Sequence, residues 1–142
     1  MADLKPKFGT ATSLTTTGLS TLANGSSATS NNIDNTSVLG FDIAITLSAT
    51  TGASATSGSL IRAFAKFSLD GTNYSTDEND YPMGVLTLPT AGAQTVLKLF
   101  SVGAAFPGGV IPAHVKVRVQ QSTSDAFTAG TLTYQVLFAQ SV

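Results

Sequence analysis

Three segments of this 142-residue chain alternate apolar and polar residues with a period of two. No segment longer than about eight residues keeps a period of 3.6. Period two marks a strand with one face buried and one in water. In Phe41–Ser48 the aligned residues are Phe41, Ile43, Ile45 and Leu47, with Asp42, Thr46 and Ser48 opposite. In His114–Gln120 three valines, Val115, Val117 and Val119, point inward and His114, Lys116 and Arg118 point out. In Leu132–Phe138 the aligned set is Leu132, Tyr134, Val136 and Phe138.

Leu60–Leu69 is apolar on both faces, with Ile61, Ala63, Ala65, Phe67 and Leu69 on one and Leu60 and Phe64 on the other. That pattern suits a central strand, or one with a partner chain against its outer side. Thr10–Thr17, Ala28–Ile33, Gly84–Leu88 and Thr95–Val102 are further strand candidates. Asn24-Gly25 and Asp70-Gly71 suit tight turns with positive φ. Ser and Thr together make up 37 residues, and Glu occurs once, at Glu78. Exposed helix faces need Glu, Lys and Arg, so this composition excludes a helical protein. The expected fold is all-β: a single antiparallel β-sandwich, jelly-roll-like, of about eight strands. Residues 1–9 read as an N-terminal arm and 10–142 as the sandwich domain.

Charge narrows the function. Lys and Arg number 7 against 8 Asp and Glu, a net −1. That balance lacks the basic footprint of a nucleic-acid binder. The most apolar stretch, Phe100–Ala113, is too short and too broken by Pro and Gly to span a membrane. No apolar run follows Lys5 and Lys7 as a signal peptide requires. Without cysteine there is neither a disulfide framework nor a thiolate site.

No catalytic constellation emerges. His114 is the single histidine, expected to be exposed, and no Gly-x-Ser-x-Gly elbow accompanies it. Asp70, Asp77, Glu78 and Asp80 cluster in one loop, but their spacing is not that of a calcium loop. No carboxylate pair stands out for glycoside chemistry, and no Gly-rich loop feeds a helix. Three Asn-x-Ser triplets, at Asn24, Asn35 and Asn73, are what chance produces in a chain so rich in Ser. The expectation is a non-enzyme without metal or cofactor. One loop has sugar-binding residue types: Asp70, Asn73, Tyr74, Asp77 and Tyr81 form an alternative glycan loop. A surface carrying so little charge favours life in an assembly, because charge depletion marks interface cores.

The runs Ser20–Ser26, Asn31–Thr36, Phe67–Tyr74, Gly130–Tyr134 and Phe138–Val142 resemble small structural proteins of tailed bacteriophages, most of all capsid cement (decoration) proteins. That resemblance implies a β-sandwich or jelly roll on the outer capsid surface of a virion. The protein would be made in the host cytoplasm and would bridge and stabilise neighbouring subunits of the major capsid protein. It implies that protein and further copies of this chain, as homodimer or homotrimer, as partners. The alternative is a tail, collar or fibre component, including a host-glycan-binding module. Two contact regions are expected. The arm, with Lys5, Pro6, Lys7 and Phe8, reaches onto a capsid neighbour. Leu60 and Phe64 form a self-interface.

Overall fold

The computed structural model describes residues 4–36 and 40–141. Ten strands build it: β1 (Leu4–Phe8), β2 (Thr12–Leu14), β3 (Ser27–Thr29), β4 (Ile33–Asp34), β5 (Asp42–Thr51), β6 (Leu60–Ser68), β7 (Tyr81–Thr87), β8 (Thr95–Ser101), β9 (His114–Ser122) and β10 (Phe127–Ser141). Short 3₁₀ turns are the other regular elements. All strand pairings are antiparallel. The first sheet runs β1-β10-β5-β8, with β2 beside β1 along β10. The second runs β3-β9-β6-β7, with β4 beside β3 along β9. Ten strands therefore fill eight lanes. Successive strands mostly cross from sheet to sheet, which is the double Greek key of a jelly roll.

The period-two segments behave as their patterns require. On β5, Ile43, Ile45 and Leu47 are buried, and opposite them Val115, Val117 and Val119 line β9. Each such side chain contributes roughly 1.5–3 kcal/mol by leaving water. Ile61, Ala63 and Ala65 complete the layer from β6, which lies between β9 and β7 as a central strand should. Gly25 and Gly71 both take positive φ, so the two tight turns form where their sequences predicted. Gly130 serves differently. A Cβ there would meet the Leu19 carbonyl oxygen at 2.8 Å, so only glycine lets the Leu19–Thr21 turn lie against β10.

Some expectations need correction. Phe41 precedes β5 and is half exposed, its N–H tied to the Leu137 carbonyl. Leu69 follows the end of β6 and is 82% exposed, because the chain leaves the sheet at Ser68. The expected arm is no separate unit: Leu4–Phe8 pairs with Leu137–Ser141 of β10 as an edge strand of the first sheet. Its residues 1–3 lie outside the described residues, as does Ser37 of the Asn35 triplet. One polar residue had no signal in the sequence. Gln121, two positions beyond Val119, is fully buried, and its side-chain amide donates to the Leu22 and Asp125 carbonyls at 2.8 Å each. Its oxygen accepts from the Thr123 N–H and hydroxyl. Among the described residues every buried side-chain nitrogen and oxygen has a partner.

Candidate functional site

The two outer faces of the sandwich differ sharply in charge. The register across the first sheet sets Gln135, Ala44 and Ser101 in one row, Thr133, Thr46 and Leu99 in the next, and Thr131, Ser48 and Leu97 in the third. Phe8 and Leu137 continue this face toward β1. Leu97, Leu99 and Phe8 are 69%, 65% and 59% exposed. Among the described residues the outer face of this sheet holds one ionisable side chain, Asp42. Even that carboxylate is tied down, accepting from the Ser101 hydroxyl, the Gly103 N–H and the Ile43 N–H.

The second sheet's outer face gathers the ions. It carries Arg62 and Lys66 on β6, His114, Lys116 and Arg118 on β9, and Asp34 on β4. The loop joining β6 to β7, residues 69–80, folds back over it with its four acids. Lys66 Nζ donates to Asp77 at 2.6 Å and to Asp80 at 3.2 Å. Arg118 Nε donates to Asp80 at 2.7 Å, and its guanidinium lies 4.2 Å from the Phe64 ring. The Asp80 side chain is fully buried, and Ser75 donates a further bond to it at 2.7 Å.

The five residues of the expected glycan loop separate. Asp70, Asn73 and Tyr74 line one open pocket of about 350 Å³ with Phe67, Ser68, Leu69 and Ser75. Asp77 is outside it, paired with Lys66. Tyr81 turns toward the core, its ring 4.8 Å from Phe106 and 5.6 Å from Phe67. In the pocket the polar atoms are already engaged. Asp70 accepts from the Asn73 and Thr72 N–H groups, the Asn73 side chain and the Ser68 hydroxyl, all at 2.8–2.9 Å. Those bonds, the Asn73 N–H first, hold its carboxyl far below the ordinary carboxylate value. Tyr74 donates its hydroxyl to Asn32 at 2.8 Å, and Lys116 Nζ sits 4.1 Å from its ring centre. Burial, then the Asp70 charge, push the Tyr74 hydroxyl upward.

The folded-back loop also corrects the reading of His114 as exposed. Its side chain is only 15% exposed, with Gly71 against the ring, and Asn32 Nδ2 lies 3.1 Å from Nδ1. Leu60 and Phe64, expected at a self-interface, lie half-buried on this same charged face, with Phe64 under Arg118. Lys5, Pro6, Lys7 and Phe8 belong to β1, where Lys7 Nζ stands 5.8 Å from the Phe138 ring. Among the described residues no three of His, Cys, Asp and Glu are grouped to hold a metal ion, and no helix is long and apolar enough to cross a membrane.

No protein-family model matches this sequence, and no curated protein matches it. Among solved structures, the chain is similar to the N-terminal cellulose-binding domain of Cellulomonas fimi β-1,4-glucanase C. The identity is 17%, over 92% of this chain and 80% of that one, with a TM-score of 0.34. Likeness at that level carries no argument about what this chain binds.

Proposed function

We propose that this chain is a structural protein of a bacteriophage virion, a capsid cement protein. It docks by the outer face of its first sheet on neighbouring subunits of the major capsid protein and holds them together. The observation that carries this reading is the charge segregation: among the described residues one face has a single, internally bonded carboxylate, and the opposite face has the ion network. A neutral, flat face of Thr, Ser, Ala and Leu desolvates at low cost against another protein, while the ionic face suits water. The particle itself is proposed from the resemblance of the runs Ser20–Ser26, Asn31–Thr36 and Phe67–Tyr74 to phage cement proteins. A protein in this role needs no active site, cofactor or nucleic-acid contact. It stabilises the shell by mass action, because it binds assembled subunits and not free ones.

The test is the copy number of the chain in purified particles, by quantitative mass spectrometry against the most abundant shell protein. A ratio near one, or a simple fraction set by shell symmetry, is expected. A handful of copies per particle would replace the cement role with a tail, collar or fibre role, and absence would end the virion reading. The docking face has its own test. Thr133→Lys should weaken shell binding more than about tenfold, because burying one unpaired charge costs more than the ~1.4 kcal/mol that tenfold represents. Lys116→Ala, on the opposite face, should leave binding unchanged.

A further inference from the structure

Histidine is the side chain whose charge changes between about pH 5 and 8, and this chain has one, His114. Several segments meet on its ring. Asn32, just before β4, points its Nδ2 at the ring Nδ1, 3.1 Å away. The Asn32 Oδ1 in turn accepts the Tyr74 hydroxyl at 2.8 Å. An amide nitrogen only donates, so Nδ1 is the accepting nitrogen and the ring is neutral, with its proton on Nε2. Asp34 Oδ1, on β4, stands 3.9 Å from the same Nδ1, beyond hydrogen-bond reach. Thr36 gives that carboxylate two donors, its N–H and its hydroxyl, and a carboxylate accepts about four. From β6 comes Ser68, the register partner of His114, whose hydroxyl donates to Asp70. From the loop above comes Gly71, with Asp70 before it. The neighbouring cations are committed elsewhere: Lys116 sits over the Tyr74 ring, and Lys66 pairs with Asp77 and Asp80.

We propose that protonation of His114 exchanges its partner, Asn32 for Asp34, and so loosens the first half of the loop over it, residues 69–75. A charged ring carries a proton on Nδ1, which then confronts the donor of the Asn32 amide. A bond from that proton to the Asp34 carboxylate is charge-assisted, roughly twice as strong as the neutral bond it replaces. A small turn of the ring closes the 3.9 Å gap. The Thr36 bonds hold Asp34 below the ordinary carboxylate value, so the acceptor stays ionised throughout. Asn32 then loses the ring that fixes its amide, and its hold on the Tyr74 hydroxyl weakens. Tyr74 lines the open pocket with Phe67 and Asp70, so the pocket wall moves with it. The far end of the loop stays in place, because Asp80 remains between Arg118 and Lys66. This device lies on the charged face and is independent of the docking reading above.

The experiment is NMR on the chain in solution, where a single histidine gives one unambiguous imidazole signal. At about pH 8 the ring nitrogens should report a neutral ring with its proton on Nε2. On acidification to about pH 5 the Asn32 side-chain amide should shift with the same midpoint as the ring. The Ser75 N–H, bonded to the Phe67 carbonyl at 3.0 Å, reports the loop by hydrogen exchange. Corrected for intrinsic rates, its protection should fall roughly fivefold to tenfold, the step from a neutral to a charge-assisted bond. The Val102 N–H, bonded to the Ile43 carbonyl in the first sheet, should keep its protection. His114→Gln cannot gain a charge, and Asp34→Asn removes the charged acceptor, so both should abolish the loss at Ser75. A proton on Nδ1 at the alkaline end, unchanged Ser75 protection in acid (as an Asn32 amide turning over in place would give), or an equal loss in both variants would overturn the proposal. If His114→Gln fails to fold, the wild-type titration and Asp34→Asn decide.

Discussion

Asp70 shows how a single residue shapes this surface. An Asp-Gly pair predicts a turn, and the turn forms, but the carboxylate does more than cap it. Four donors converge on it and anchor the loop that covers His114. Because its folded-state value lies below the ordinary 3.8, the stabilisation is present above that value and is lost as pH falls through the lowered one. Asp77, lowered mainly by the Lys66 hydrogen bond, acts in the same direction. Stability should therefore decline below about pH 4. Urea titrations at a series of pH values should show a shallower acid decline for Asp70→Asn than for the wild type. Identical slopes would mean that the Asp70 bonds do not persist in solution.

The β6–β9 pair and its returning loop form an element whose ion pairs differ in worth. Asp80 is fully buried between Arg118 and Lys66, whose side chains are 7% and 12% exposed, whereas Asp77 is 64% exposed. Removing Asp80 leaves two nearly buried cations without their shared anion. Asp80→Ala should cost about 3–5 kcal/mol, and Asp77→Ala no more than about 1 kcal/mol. Chemical unfolding of both variants checks this, and equal losses would show that the network is solvated. On the facing sheet, Ile45→Ala empties part of the central layer and should cost about 2–5 kcal/mol by the same measurement.

At the scale of the whole molecule, topology joins the chain's beginning to its end. β1 lies on β10, and β2 lies farther along the same strand. Such pairings must close long loops before any contact forms, so refolding should take roughly milliseconds to seconds in stopped-flow fluorescence. Deleting residues 2–8 removes β1 and uncovers the edge of β10 from Leu137 to Ser141. The shortened chain should still fold but aggregate faster on mild heating, because the edge blunted by Pro6 is replaced by an unprotected one. Light scattering during a temperature ramp reads this directly. A truncated chain as soluble as the full one would show that β1 protects nothing.

Alternation alone determined which residues of Phe41–Ser48, Leu60–Leu69, His114–Gln120 and Leu132–Phe138 turn to the core. The reason is local: in a strand each residue's side is set by its neighbours. The exceptions are Phe41 and Leu69, which fall beyond a strand end, and Phe138, which lies outside the packed core where β10 pairs with β1 and Lys7 sits over its ring. The scarcity of charge was equally legible, and so was the presence of an acidic loop. Where the charges lie was not. Period two says that Thr46 and Lys116 both face outward, but only the sheet order places them on opposite sides of the molecule. The pairing of Asp80 with Arg118, 38 residues apart, arises because β6 and β9 are neighbours. The β1 strand was hidden for the same reason. Its polar residues lack a periodic signal, and its place is fixed by hydrogen bonds to a strand at the far end of the chain. Pairing between distant segments is a property of the folded whole, so the neutral face, the ion network and the partners of His114 belong to the tertiary structure.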